Sequence, residues 1–152
     1  MIRRILLTAA GVAVIIASGV AAGPAFVDIT AKAGIRFQHY SGANAKKFMP
    51  ETFGSGAVFF DADADGWQDI LLVNSSRIPG EPGNVTYSAL YRNRGDGTFQ
   101  DITKGSGLDV EMYGMGASAA DYDNDGRADL FISGYNVGRL FHNDGGGKFT
   151  DV

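Results

Sequence analysis

An all-β fold is predicted for this chain, and three observations predict it. Short apolar or β-branched runs recur along the sequence, Gly- and Asp-rich turns separate them, and no segment after residue 23 keeps a helical period. The runs form two copies of one pattern. In the first copy the expected strands are Ala57–Phe60, Asp69–Val73, Ala89–Arg92 and Phe99–Ile102. In the second they are Ala117–Ala120, Asp129–Ser133, Arg139–His142 and Phe149–Val152. Four short strands per unit, repeated every 50 to 60 residues, is the pattern of β-propeller blades. Two units make an incomplete ring.

Each element has a counterpart. Gly54-Ser55-Gly56-Ala57 opens the first copy and Gly114-Met115-Gly116-Ala117 the second, 60 residues on, each preceded by an aromatic, Phe53 or Tyr113. The stretch from Leu90 to Asp101 aligns with Leu140 to Asp151 at an offset of 50. The difference is a Pro/Gly-rich insertion of about ten residues, Ser75 to Asn84, expected as a surface loop. Gly95-Asp96-Gly97 and Gly145-Gly146-Gly147 suit hairpins between the last two strands of each copy. A third echo joins Phe26-Val27-Asp28-Ile29-Thr30 to Phe99-Gln100-Asp101-Ile102-Thr103 and to Phe149-Thr150-Asp151-Val152.

Between the first and second strands of each copy lies a nine-residue acidic loop. Asp61, Asp63, Asp65 and Asp69 stand at positions 1, 3, 5 and 9 of the first, and Asp121, Asp123, Asp125 and Asp129 at the same positions of the second. Gly66 and Gly126 occupy position 6. Four carboxylates crowded into nine residues repel one another unless a cation neutralises them. A hard cation taking six to eight oxygens suits such a loop, so Ca2+ is the expected cofactor, ahead of Mg2+, which prefers fewer carboxylates and more water. Position 7 would add a backbone carbonyl, from Trp67 and Arg127. The helix-loop-helix calcium hand needs Glu at position 12; here Leu72 and Ile132 stand there, so that motif is excluded. Of 17 acidic residues eight lie in these loops, and the remaining nine are outnumbered by 13 basic ones, so the net charge of −4 is concentrated in the loops. No basic cluster beyond Lys46-Lys47 suggests a nucleic-acid surface.

These residues resemble the FG-GAP (VCBS-like) repeats, the blades of integrin α propellers and of many secreted bacterial proteins. Phe53-Gly54 with Gly56-Ala57, the two acidic loops and the Leu/Ile runs after them carry the resemblance. Asn93-Arg94-Gly95-Asp96-Gly97-Thr98-Phe99, the Phe-x-Asp-Ile-Thr phrases and Met49-Pro50-Glu51 are similar to the bacterial relatives of cartilage acidic protein, the ASPIC/UnbV group. The resemblance implies calcium on the loop acids and a role in protein interaction or cell adhesion, with a protein or glycan partner. The chain departs from the pattern at Val58 and Ser118, which replace the Pro that follows Gly-x-Gly-Ala in the family.

The expected organisation is a signal peptide over 1–22, forming a helix, a lead-in over 23–53, one repeat over 54–103 and a second, truncated repeat over 104–152. Arg3-Arg4, the apolar run Ile5 to Val20 and the small residues before Gly23 carry the export reading, and secretion to the periplasm or cell exterior follows from it. Without cysteine, disulfides are excluded. Two copies do not close a ring, so a fragment of a longer protein is expected.

No nucleophile with a base is evident, and the chain is read as no enzyme; the alternative is a non-catalytic scaffold within a secreted enzyme, for example one acting on polysaccharide. Arg94-Gly95-Asp96, an integrin-binding tripeptide elsewhere, is read as a hairpin turn. His142 is read as an ordinary strand residue, His39 as having no partnered acid, and Trp67 as packing between blades. Asn74 and Asn84 begin Asn-x-Ser/Thr triplets that fit glycosylation acceptors.

Overall fold

A computed structural model describes residues 25–152. The expected signal helix over 1–22 lies outside them. Two four-stranded antiparallel sheets make up the architecture, in the orders β1-β2-β3-β4 and β5-β6-β7-β8. The first comprises β1 (Ala57–Phe60), β2 (Asp69–Leu72), β3 (Ala89–Asn93) and β4 (Phe99–Asp101); the second β5 (Gly114–Ala120), β6 (Asp129–Gly134), β7 (Val137–Gly145) and β8 (Lys148–Asp151). All eight expected strands exist, each within a few residues of its expected ends. β7 is longer than expected, because Tyr135-Asn136 closes a tight hairpin where the first copy carries its insertion. Asn136 takes a left-handed φ of 56° there. The lead-in contains one 3₁₀ turn, Met49–Thr52, in which Glu51 Oε1 accepts from the Phe48 N–H at 3.0 Å.

Alternation within each strand gives each sheet two faces. On the first sheet Val58, Phe60, Leu71, Val73 and Leu90 point one way, in the register Val58↔Leu71 and Leu71↔Leu90. They meet Leu130, Ile132, Phe141 and Phe149 of the second sheet in one buried core. Phe60 and Phe149 stack edge to face at 6.1 Å across that interface. The interface closes at the first strands of the two sheets. There the Gly56 N–H donates to the Met115 carbonyl at 3.0 Å, and a Cβ at Gly114 would lie 2.7 Å from both the Asn74 carbonyl oxygen and Val73 Cγ1. The paired Gly-x-Gly segments are therefore what lets the inner strands approach.

The opposite face of the first sheet, Ile70, Ala89 and Tyr91, is covered by Ile35 and Phe37 of the lead-in. This cover is built like the linker between the sheets. Ala33 O accepts from Phe99 N at 2.8 Å, and Ser106 O accepts from Phe149 N at 2.7 Å. Asp28 Oδ1 accepts from Thr30 N at 2.9 Å, and Asp101 Oδ1 from Thr103 N at 2.9 Å, so the repeated Phe-x-Asp-Ile-Thr phrase marks the same Asx turn. Both segments then pass through a left-handed glycine, Gly34 at φ 82° and Gly107 at φ 90°. The lead-in thus stands where a preceding unit would send its linker.

The insertion departs from expectation. Ser75, Ser76 and Ile78 are buried, because Asn84 O accepts from Arg77 N at 3.1 Å and folds the segment back onto the body. Among the described residues no helix is long and apolar enough to cross a membrane.

Gly107 gives a sharp test of this packing. A Cβ there would lie 1.9 Å from the Phe149 carbonyl oxygen, whereas one at Gly80, also at positive φ, meets open space. Gly80→Ala is expected to cost about 1–2 kcal/mol, the penalty of the left-handed conformation alone. Gly107→Ala is expected to cost clearly more in urea unfolding; equal costs would show that the linker is not pinned to β8.

Candidate metal centres

The two acidic loops fold alike. Each leaves the end of a first strand, turns through a left-handed residue at position 4 (Ala64 at φ 61°, Asn124 at φ 61°) and a left-handed glycine at position 6 (Gly66 at φ 89°, Gly126 at φ 90°), and enters the second strand at its last acid. Asp61 accepts from the backbone of Asp65 at 3.1 Å and of Gly66 at 2.9 Å; Asp121 does the same with Asp125 at 3.0 Å and Gly126 at 2.9 Å. Asp65 and Asp125 each accept from the backbone N–H two residues on, at Trp67 and Arg127, both at 2.9 Å. The loops are therefore pre-shaped by their own carboxylates.

The position-9 acids are buried, Asp69 at 0% and Asp129 at 1% exposure. Asp69 accepts from Ala62 N at 3.0 Å and Asn93 N at 2.7 Å, and Asp129 from Tyr122 N at 3.1 Å and Asn143 N at 2.7 Å. One carboxylate thus joins the loop to the third strand. The side chain of the asparagine reached there returns to the loop. Asn93 Nδ2 donates to Gln68 O at 2.9 Å, and Asn143 Nδ2 to Ala128 O at 2.9 Å and, across the sheet interface, to Ala62 O at 3.1 Å. Neither Asn93, part of a motif in the sequence, nor Asn143 is a site residue in the sequence reading; their identical place in the Leu90 and Leu140 stretches is the available signal.

Three acids of each loop bring carboxylate oxygens within 4.8 Å of one another: Asp61, Asp63 and Asp69, and Asp121, Asp123 and Asp129. Asp65 and Asp125 lie outside those triplets, on the sides facing Arg92 and His142. Asp63 decides what the first loop suits. Its side chain is only 5% exposed, and its Oδ1 is buried without a hydrogen-bond partner. A buried carboxylate oxygen with no donor is costly, and a cation among Asp61, Asp63 and Asp69 would satisfy it. All donors at the cluster are carboxylate oxygens, which suits a hard divalent ion. Burial pushes the Asp63 carboxyl above its ordinary value, with Asp65 and Asp61 adding to the rise and Arg92, 2.6 Å from Asp63 Oδ2, opposing it. Burial likewise raises Asp69, against the two backbone donors.

His142 overturns its reading as an ordinary strand residue. It faces three carboxylates, with Nδ1 2.9 Å from Asp144 Oδ1 and Nε2 3.2 Å from Asp123 Oδ2 and 3.5 Å from Asp125 Oδ2. The hydrogen bond to Asp144 raises its pKa most, burial lowers it, and Asp123 and Asp129 raise it further. The alignment with Arg92 was correct, and Arg92 itself faces its loop. Trp67 also differs from expectation: it lies half-exposed over Gly95 of its own sheet, where a Cβ would meet its ring at 2.9 Å, rather than between sheets. Arg94-Gly95-Asp96 occupies the β3–β4 hairpin, with Gly95 at φ 73° and Asp96 Oδ1 accepting from Thr98 N at 2.9 Å. Asn74 is buried, and its Oδ1 accepts from Tyr40 N at 2.8 Å, which excludes it as a glycan acceptor in the folded chain.

Residues 61–132, which span both loops, match the model of the FG-GAP-like repeat family. That stretch is similar to an FG-GAP-like repeat. Over 68 residues it is 38% identical to cartilage acidic protein 1 of Xenopus tropicalis, an alignment covering 41% of this chain and 10% of that protein. Over 48 residues it is 40% identical to human cartilage acidic protein 1, covering 31% and 7%. The chain therefore spans a tenth or less of the length of the curated relatives it matches. The matched stretch runs from the first acidic loop to β6, and the two acidic loops are the β1–β2 and β5–β6 connections.

Two outcomes are expected in chelator. Asp69→Asn places an amide against one of two backbone donors and costs about 2–3 kcal/mol, whereas Asp65→Asn, more exposed, costs less than about 1 kcal/mol; urea unfolding of both variants compares them. Acid is expected to stabilise the metal-free protein. His142, raised in the fold, contributes stability that is complete below about pH 6.5 and lost as pH rises through its folded value. Asp63 and Asp69, also raised, carry a burial cost that is complete above their folded values and relieved as pH falls towards them. The melting temperature in chelator therefore falls from about pH 5 to pH 8; a rise over that range would contradict the assigned contacts.

Proposed function

We propose that this chain is an exported, calcium-binding FG-GAP/VCBS module, a β-propeller segment whose role is protein interaction or adhesion rather than catalysis. The observation that carries it is the partnerless, buried Oδ1 of Asp63 beside Asp61 and Asp69. In this reading Asp61, Asp63, Asp65 and Asp69 with the Trp67 carbonyl hold one calcium ion, and Asp121, Asp123, Asp125 and Asp129 with the Arg127 carbonyl hold another. The ion supplies positive charge where carboxylates converge and so stabilises the folded loop. The chain's own residues do the rest: Asp69 and Asp129 fasten the loop to β3 or β7, and Gly66 and Gly126 let it turn.

The organisation that goes with this reading is a signal peptide over 1–22, a lead-in over 23–53, and repeats over 54–103 and 104–152. The apolar run behind Arg3-Arg4 supports export. The interaction role is supported by one surface. The face of the second sheet equivalent to the face the first sheet buries bears Phe131 and Val152, both exposed, with Leu140 between them, in the register Phe131↔Leu140. A protein partner or a further blade would find apolar contact there.

Calcium at one hundred times its dissociation constant adds about 2.7 kcal/mol per site if it binds only the folded chain. The expected result is a marked rise in melting temperature with calcium, reversed by chelator and reduced by about half in Asp63→Asn. An unchanged melting temperature on chelation would count decisively against the proposal.

A further inference from the structure

The two loops face different residues on the neighbouring strand, and the difference is coordinated. In the first repeat the third strand presents Arg92, followed two residues later by Arg94; in the second it presents His142, followed by Asp144. Arg92 sits against Asp63 at 2.6 Å as a fixed counter-ion. His142 is held from behind. Thr150 Oγ1 donates to Asp144 Oδ2 at 2.7 Å, and Asp144 Oδ1 is 2.9 Å from His142 Nδ1. A carboxylate behind Nδ1 favours the tautomer that carries its proton there and leaves the Nε2 lone pair free. Such a carboxylate–imidazole pair is the usual support of a metal-bound histidine. Were the imidazole only a neutralising cation, an arginine would serve, as it does in the first repeat.

The distances agree with a metal more closely than with a salt bridge. Nε2 lies 3.2 Å from Asp123 Oδ2 and 3.5 Å from Asp125 Oδ2. A charge-assisted N–H···O bond prefers about 2.7–2.9 Å. Ligands on a tetrahedral zinc, with bonds of about 2.0–2.1 Å, stand roughly 3.4 Å apart. Asp123, Asp125 and His142 form a three-ligand group, distinct from the all-carboxylate group of Asp121, Asp123 and Asp129 that shares Asp123. Asp125 Oδ2 also pairs with Arg127, whose Nε donates to the Asn143 carbonyl at 2.7 Å, so a metal would share that oxygen with the guanidinium. Tyr122 packs edge-on to the imidazole at 6.4 Å, where the first repeat has Ala62. One nitrogen and two carboxylate oxygens suit a borderline divalent ion better than calcium, which takes oxygen ligands.

We propose that the second repeat carries a site for a borderline divalent metal of the zinc class, formed by Asp123, Asp125 and His142 Nε2, oriented by Asp144, and absent from the first repeat. The fourth position is left to solvent. The two repeats then differ in chemistry: the first takes hard cations alone, and the second also takes transition metals. The site shares Asp123 and Asp125 with the calcium reading, so the two metals compete at the second loop and excess calcium weakens zinc binding where both readings hold; His142 and its support Asp144 lie outside the nine-residue loop and belong to the zinc site alone.

The test is calorimetric titration of the intact chain with zinc chloride, run without calcium and again with calcium in excess. One zinc per chain with micromolar affinity is expected without calcium, together with the intense visible absorption of four-coordinate cobalt when Co2+ replaces zinc. His142→Arg, which installs the arrangement of the first repeat, should lower zinc affinity at least 100-fold while circular dichroism stays unchanged. Asp144→Asn should lower it about 10- to 100-fold. Binding weaker than millimolar, or binding equal in the wild type and His142→Arg, would overturn the proposal and leave His142 as a counter-ion like Arg92. A melting temperature insensitive to calcium, with zinc binding intact, would defeat the calcium reading alone.

Discussion

One interaction organises both repeats: a buried aspartate at the first residue of the second strand, bonded to two backbone N–H groups. Asp69 and Asp129 each hold the acidic loop on one oxygen and the third strand on the other. Without that bridge the loop would be a long excursion between antiparallel strands, free to move its other acids apart. With it, three carboxylates converge whether or not anything neutralises them. Burial of these acids is thus built into the fold and raises the carboxyls of Asp63 and Asp69, with the neighbouring carboxylates adding to the rise. A cation that bound such a loop only in the folded state would stabilise it.

The same bridge ties the loops to packing. Asn143, reached by Asp129, donates across to Ala62 of the first loop at 3.1 Å, and Ala62 belongs to the core shared by the two sheets. The stacking of one repeat on the next and the closing of a loop are therefore mechanically joined. Each sheet offers one face to its successor and one to its predecessor. Ile35 and Phe37 take the predecessor's place on the first sheet, whereas Phe131 stays half-exposed on the second. This is the logic of repeat architectures, in which neighbours bury what a single unit cannot.

Much of this was legible in the residues because the chain states its pattern twice. The offset of 60 between Asp61 and Asp121 marks the loops, and short apolar or β-branched runs between Gly and Asp turns mark the strands around them. Three things were harder to see. Asn93 and Asn143 look like ordinary hairpin residues until the buried carboxylate is placed beneath their N–H groups. The role of His142 depends on which way a strand residue points relative to a loop some twenty positions earlier, and periodicity alone does not bring the two together. Ser75, Ser76 and Ile78 have the composition of a surface loop, yet tertiary contact buries them. In each case a long-range contact decided the outcome, and local pattern carries no record of it.

The account rests on the acids of each loop sharing one centre with a cation. Crystals grown in calcium and measured for anomalous scattering test this most directly. The account predicts a strong peak in the first loop bounded by carboxylate oxygens of Asp61, Asp63 and Asp69, with Asp63 Oδ1 no longer partnerless. Density showing those side chains turned outward with no peak between them would contradict it.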